Sequence, residues 1–201
     1  MSENEKLRPD VGELDAELNR IRVRKKNRKK AWVLAIVFVV ALMAGGYLAT
    51  SYLAIYRITG TSMETTLDAG AIVVCQKGAA VKRGSIVAFE RDDTLLIKRV
   101  IAIAGDLVSI DEDGQVTING VTISEPYLAD ADTRQGDVTF PVSVPSGQVF
   151  VLGDNRVASI DSRDSSVGMV SVDEIIGCAK ATIWPLSDVG LVKTGANVTS
   201  Q

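Results

Sequence analysis

No histidine occurs anywhere in the 201 residues. That absence excludes Ser-His-Asp, Ser-His and Cys-His mechanisms and every His-ligated metal site. Only two cysteines are present, Cys75 and Cys178. Each lies in an apolar run (Ala71-Ile-Val-Val-Cys75 and Ile175-Ile-Gly-Cys178-Ala), which suits a buried structural thiol. Neither has the electropositive, accessible setting that a thiolate nucleophile needs. A disulfide is permitted outside the cytosol, but sequence does not place the two Cα atoms. Two serine-enzyme motifs are also missing. Gly-x-Ser-x-Gly fails because Glu64 stands at its second glycine, and no Ser-x-x-Lys occurs. After residue 56 there is no second long hydrophobic run, no internal repeat and no extended helical pattern.

Charge is unevenly divided. Residues 1–53 hold ten Lys and Arg against six Asp and Glu, and residues 54–201 hold twelve against nineteen. The acidic C-terminal part offers no electrostatic footprint for nucleic acid. The cations crowd into residues 20–30, directly before residues 31–56, which carry no charge. A helix of about 20 residues crosses ~30 Å of hydrocarbon, and the uncharged run is long enough. Trp32, Tyr47, Tyr52 and Tyr56 lie near its ends, as interfacial aromatics do. The basic flank keeps the N-terminus cytoplasmic and puts the rest of the chain outside. A cleaved signal peptide is the competing reading, but its apolar stretch is only about 7–15 residues. The organisation expected is a cytoplasmic tail (1–30), in which residues 11–18 form a short amphipathic helix or an unstructured segment, then a single-pass membrane anchor (31–53), an extracytoplasmic domain (54–190) and a C-terminal tail (191–201).

Beyond the anchor the pattern becomes β. Candidate strands are 71–75, 85–90, 94–103, 108–110, 116–118, 121–123, 149–152 and 175–184. Asp113-Gly114 and Asn119-Gly120 are hairpin signals, because both dipeptides accept positive φ at low cost. Residues 125–145 read as loop or short edge strands. The expected fold class is mainly β, with an antiparallel sheet.

Residues 94–106, Thr-Leu-Leu-Ile-Lys-Arg-Val-Ile-Ala-Ile-Ala-Gly-Asp, are the stretch around which the domain is organised. They read as a buried strand closed by a turn. Alternation puts Leu96, Lys98 and Val100 on one face and Ile97, Arg99 and Ile101 on the other. Whichever face is inward, one cation is pressed among aliphatic neighbours. A buried lysine loses hydration of its charged form, its pKa falls, and it becomes a usable base. The alternative is an edge strand whose lysine snorkels to water.

Ser62, in Thr59-Gly-Thr-Ser-Met-Glu-Thr-Thr-Leu67, follows the apolar run closely. Gly60 can take a backbone geometry closed to other residues, letting the amides around Thr61 and Ser62 converge into an oxyanion hole. Gly-Thr-Ser is also ordinary turn chemistry. Paired with Lys98 the serine gains meaning, since a neutral amine can accept the hydroxyl proton and later deliver it to the leaving amine. In a third cluster, Gly153-Asp154-Asn155-Arg156 to Ser159-Ile160-Asp161-Ser162-Arg163, Asp161 and Arg163 can pair and pin a loop. Ser159 can orient the lysine amine. A polar surface loop is the plain alternative.

Taken together, Gly60-Thr61-Ser62-Met63, Leu96-Ile97-Lys98-Arg99-Val100-Ile101 followed by Gly105-Asp106, and the third cluster resemble the signature boxes of bacterial type I signal peptidases. Arg83-Gly84-Ser85-Ile86-Val87 is similar to another box, with Ser85 where Asp is usual. Asn119-Gly120, Glu125-Pro126-Tyr127 and Trp184-Pro185-Leu186 also match. The resemblance implies a membrane-bound serine endopeptidase that removes N-terminal signal peptides from exported preproteins, using no metal or cofactor. It implies a β catalytic core with a smaller β insertion, at about 108–144. It assigns Ser62 as nucleophile and Lys98 as general base. The Ser62 amide, with Gly60 and Thr61, would form the oxyanion site. Ser159 would orient Lys98, and Asp154, Asn155, Arg156, Asp161 and Arg163 would support the site. Some members add a serine hydroxyl two residues before the nucleophile, where Gly60 stands. Thr65 occupies a place where the family usually has proline, which would loosen the loop. Implied partners are signal-peptide-bearing preproteins and the lipid bilayer, with no nucleic acid. Two alternatives carry different marks. A LexA-like autoprotease would bring a DNA-binding helical domain and no membrane span, and a non-catalytic anchored β module would leave a preprotein intact.

Overall fold

The computed structural model describes residues 11–128 and 136–195. One long helix, α1 (Val11–Tyr52), precedes twelve strands. The helix runs unbroken through the basic block into the apolar segment. Within it Arg24–Tyr52, 29 residues, rises about 44 Å, long and apolar enough to cross a membrane. The helix stops at Tyr52, and Leu53, read from sequence as the last residue of the membrane anchor, opens strand β1 (Leu53–Arg57).

The remaining strands are β2 (Ile72–Gln76), β3 (Ile86–Arg91), β4 (Thr94–Ile103), β5 (Leu107–Ile110), β6 (Val116–Ile118), β7 (Val121–Thr122), β8 (Val142–Ser143), β9 (Gln148–Leu152), β10 (Val170–Ser171), β11 (Ile175–Trp184) and β12 (Gly190–Leu191). They form an eight-stranded sheet, ordered β1-β2-β11-β3-β4-β9-β10 with β12 beside β11, and a four-stranded sheet ordered β7-β6-β5-β8. Every pairing is antiparallel. The chain is therefore mainly β, as its alternating pattern predicts.

The large sheet is apolar on both faces. Along β3, Ile86 and Ala88 join one cluster with Met63, Leu67, Val73 and Ile97, whereas Val87 and Phe89 join another with Val100, Val151 and Val170. A third cluster, including Ile101, Val108, Ile118 and Phe150, draws on strands of both sheets. Strand β4 is flanked by β3 and, from Arg99 onward, by β9, and Lys98 is buried, so a lysine that snorkels to water is ruled out. Both faces being covered, Lys98 and Arg99 are each buried. The expectation that one face alone would be inward is corrected.

Where β4 turns into β5, Asp106 is buried and ties the segment down. It accepts from Arg83 through Nε at 2.9 Å and through Nη2, from the Ile103 amide at 2.9 Å, and from Asn119 Nδ2 at 2.9 Å. Burial alone would raise the Asp106 pKa, but these donors hold it below the usual carboxylate range.

Register settles the cysteines. Cys75 lies opposite Ala179, and Cys178 lies opposite Gln76. They occupy neighbouring strands one residue out of step, so their side chains point to opposite faces. Both are free and buried, and a disulfide between them is geometrically excluded. Burial, with a smaller contribution from Cys178, pushes the Cys75 thiol up to about 11, which makes it inert as a nucleophile.

Candidate active site

The turn after β1 brings Ser62 to the side of β4. Met63 and Leu67 are buried in the core, and between them the chain closes tightly, with Glu64 N donating to Thr61 O and Leu67 N to Met63 O. This fixes where Ser62 points. Its Oγ is 2.8 Å from Nζ of Lys98, and Lys98 is 2% exposed. Burial, partly countered by the charge of Asp161, lowers the Lys98 pKa from 10.5 to about 8, and Arg163 lowers it further against Asp154. A neutral amine at this separation can accept the hydroxyl proton.

Gly60 and Thr61 precede the serine, but the reason offered for Gly60 does not hold. Its φ lies outside the left-handed region, and a Cβ there would meet nothing within 4 Å. The left-handed residue of the turn is Thr65, with φ of 85°. Its Oγ1 donates to Tyr127 O at 2.6 Å.

The third cluster wraps around the serine from behind. Asn155 N donates to Ser62 O at 3.0 Å. Gly153 is required by space, since a Cβ there would lie 2.3 Å from Ser159 Oγ and 2.6 Å from Ser62 O. Asp161 accepts from Gly153 N at 3.0 Å and from Arg163 Nε and Nη2 at 2.9 and 3.0 Å. Burial would raise the Asp161 pKa, but Arg163, the Gly153 amide and the Ser159 side chain together lower it. Arg163 also donates to Arg156 O at 2.8 Å, and Arg156 donates to Gly153 O at 3.0 Å. Ser159 is buried against Gly153 and Asp161.

Four participants carried no individual role in the sequence reading. Arg99, 0% exposed, grips both oxygens of Asp154, at 2.8 and 2.6 Å. Thr66 Oγ1 donates to the same carboxylate at 2.5 Å. Tyr127 stacks its ring 3.9 Å from the Arg99 guanidinium carbon. Glu125 accepts from Arg156 Nη2 at 2.5 Å and from the Tyr127 hydroxyl at 2.6 Å. Arg99, Glu125 and Tyr127 lie in the quoted motifs, but their long-range partners have no local signal. Each buried carboxylate here has a guanidinium, as buried charge requires.

Strand β9 pairs with β4 from Arg99 to Ile103, so among the described residues the first half of β4 has no strand on that edge. There it borders a groove of about 360 Å³ lined by Arg57, Thr59, Gly60, Ser62, Leu95 and Ile97. A larger cavity of about 590 Å³, lined by Thr65, Tyr127, Asp188 and Lys193 among others, includes neither Ser62 nor Lys98. The smaller groove is therefore the one that bears on their chemistry.

Residues 29–184 match the family described as signal peptidase, peptidase S26. The chain is 34% identical over 180 residues to signal peptidase I of Bacillus licheniformis, covering 82% of this chain and 94% of that one. It is 33% identical over 183 residues to signal peptidase I U of Bacillus subtilis strain 168, covering 83% and 96%. A crystal structure of a signal peptidase I from Enterococcus faecalis V583 is 32% identical and covers 50% of this chain and 97% of that one, with a TM-score of 0.43. The autoprotease and binding-module alternatives gain no support from these matches. With relatives matched over nearly their whole length, the chain belongs to the signal peptidase family, peptidase S26, and is a hydrolase of that kind.

Proposed function

We propose that this chain cleaves signal peptides from exported preproteins with Ser62 as nucleophile and Lys98 as general base. The observation that carries the reading is the 2.8 Å separation of Nζ and Oγ at an amine withdrawn from water. As Oγ attacks the scissile carbonyl, its proton passes to Nζ. Amides at Thr61 and Ser62 face the developing oxyanion. The protonated amine then gives its proton to the leaving nitrogen, the C–N bond breaks, and an acyl-enzyme remains. Water attacks that ester, Nζ takes the water proton, and the proton returns to Oγ. Ser159 steadies the amine, and Asp154, Asn155, Arg156, Asp161 and Arg163 brace the loop that holds Ser62.

The substrate lies extended along the open edge of β4 and adds to it as a strand, with small side chains admitted just before the cut. The helix serves as a single-pass anchor with residues 1–30 cytoplasmic and the β domain, including the insertion at about 108–144, outside. Ser62 follows the helix end by a short length of chain, so the site is tethered near the bilayer, where a signal peptide ends.

Ser62→Ala and Lys98→Ala test the reading. Each is expected to abolish preprotein cleavage while leaving the circular dichroism of the β domain unchanged, and normal turnover in either variant defeats it.

A further inference from the structure

The groove beside Ser62 carries a cation that the reaction does not use. Among its described lining residues only Arg57 is charged, and the others are apolar or neutral. Arg57 closes strand β1, and it is exposed. Among the described residues no carboxylate pairs with its guanidinium. The fold therefore makes no use of this charge, although it stands in the groove that holds the nucleophile.

Alternation fixes what the cation faces. Tyr56 and Ile58 turn into the same core cluster as Leu95 and Ile97, so Arg57 points to the opposite side. A substrate strand laid in this groove presents its side chains to the same two sides in turn. Its small residues at the first and third places before the cut fill the side of Ile58 and Ile97. The second and fourth are left on the side of Arg57. The lining comes from two segments, and their ends farthest from Ser62 and Lys98 are Arg57 and Thr94. Thr94 stands four residues before Lys98, about 13 Å of strand. That is the reach of the fourth substrate residue and not of the second.

We propose that Arg57 is a specificity-determining residue, whose guanidinium receives an acidic side chain at the fourth residue before the cut. The inference rests on the reading of Ser62 and Lys98 as the groove's reacting pair. A carboxylate there gains a charge-assisted contact, and an ammonium in the same place is repelled.

The test is cleavage by the full chain, in non-ionic detergent, of a preprotein series with Glu or Lys placed singly at the second to sixth residues before the cut. At the fourth, kcat/KM with Glu is expected to exceed that with Lys roughly two- to thirtyfold at low salt, attraction and repulsion taken together. The ratio is expected to collapse at about 1 M salt. Arg57→Lys is expected to keep the preference, Arg57→Gln to bring the ratio to about one, and Arg57→Glu to invert it. A wild-type ratio of about one overturns the inference, and so does a ratio that Arg57→Gln leaves unchanged. A preference confined to the third or fifth residue also overturns it, because that places the cation on the other side of the strand. The series is repeated in vesicles with and without anionic lipid, where the ratio is expected to stay the same. An Arg57→Gln defect that is uniform over the series and follows the anionic lipid makes Arg57 a headgroup contact and defeats the proposal. Lys98→Ala separates the two ideas. If it is inactive on every substrate while the wild type shows no charge preference, only the role of Arg57 falls. If it cleaves, the dyad falls and takes this inference with it.

Discussion

Titrating the full-length chain downward from about pH 9 against a preprotein should extinguish cleavage along a limb of unit slope centred near pH 8, the value to which burial lowers Lys98. The magnitude follows from the neutral fraction of the amine. With a pKa of about 8, roughly 9% of the molecules carry a neutral Lys98 at pH 7, against about 0.03% for a lysine at 10.5, a gain of about 300-fold in competent enzyme. Each further unit of acidification should cost about tenfold in kcat/KM, so the rate near pH 6 is about a hundredth of the alkaline plateau. Initial rates at substrate well below KM, measured on protein shown by circular dichroism to remain folded, read this directly. The direction of one variant is also fixed. Asp161 raises the Lys98 pKa and Arg163 lowers it, so whatever activity survives Asp161→Asn should have its acid limb displaced to lower pH. A rate flat from about pH 9 to pH 5, or half-maximal at about pH 10, would refute the assignment of Lys98 as base.

Lys98→Met should abolish turnover and raise the melting temperature at neutral pH, because it removes a buried charge from 2% exposed surroundings. The sign is specific. Between pH 8 and 10.5 the unfolded chain holds a proton that the folded chain does not, so this group makes the wild type more stable as pH rises through that window, and the advantage of Lys98→Met should shrink there in thermal scans. Gly153→Ala should reduce cleavage to background, since its methyl would overlap Ser159 and the Ser62 carbonyl; an active Gly153→Ala enzyme would show that the backbone behind Ser62 yields freely. Arg99→Met should leave Asp154 buried without its guanidinium and cost about 3–5 kcal/mol in denaturant unfolding, whereas a loss under about 1 kcal/mol would mean that water replaces the arginine.

Much of the frame could be read from residues because it is governed by local pattern. The strand expected at 94–103 is β4, and that at 175–184 is β11, both long apolar runs with turn residues beyond them. Strand β1 escaped because Leu53-Ala-Ile-Tyr merges without charge or breaker into the apolar helix, and its period of two, with Ala54 and Tyr56 half-buried, spans too few residues to stand out. The burial of Arg99 was hidden for a different reason. A strand pattern shows that a face is apolar, but it does not show that a second layer covers the other face. The site divides in the same way. Ser62, Lys98 and the Gly153 cluster carry motifs, whereas the contact of Asn155 with Ser62 and of Thr65 with Tyr127 joins segments far apart in the chain. The left-handed turn at Thr65 contradicts local propensity and exists only because tertiary contacts enforce it.

The back-to-back placement of Cys75 and Cys178 makes the pair a reporter of conformation. With a sheet between them, the folded chain has no route to an internal cross-link, even in an oxidising compartment. Any disulfide found in a preparation must therefore have formed in chains that had come apart or had joined a neighbour. A non-reducing gel then measures the misfolded fraction with no label added.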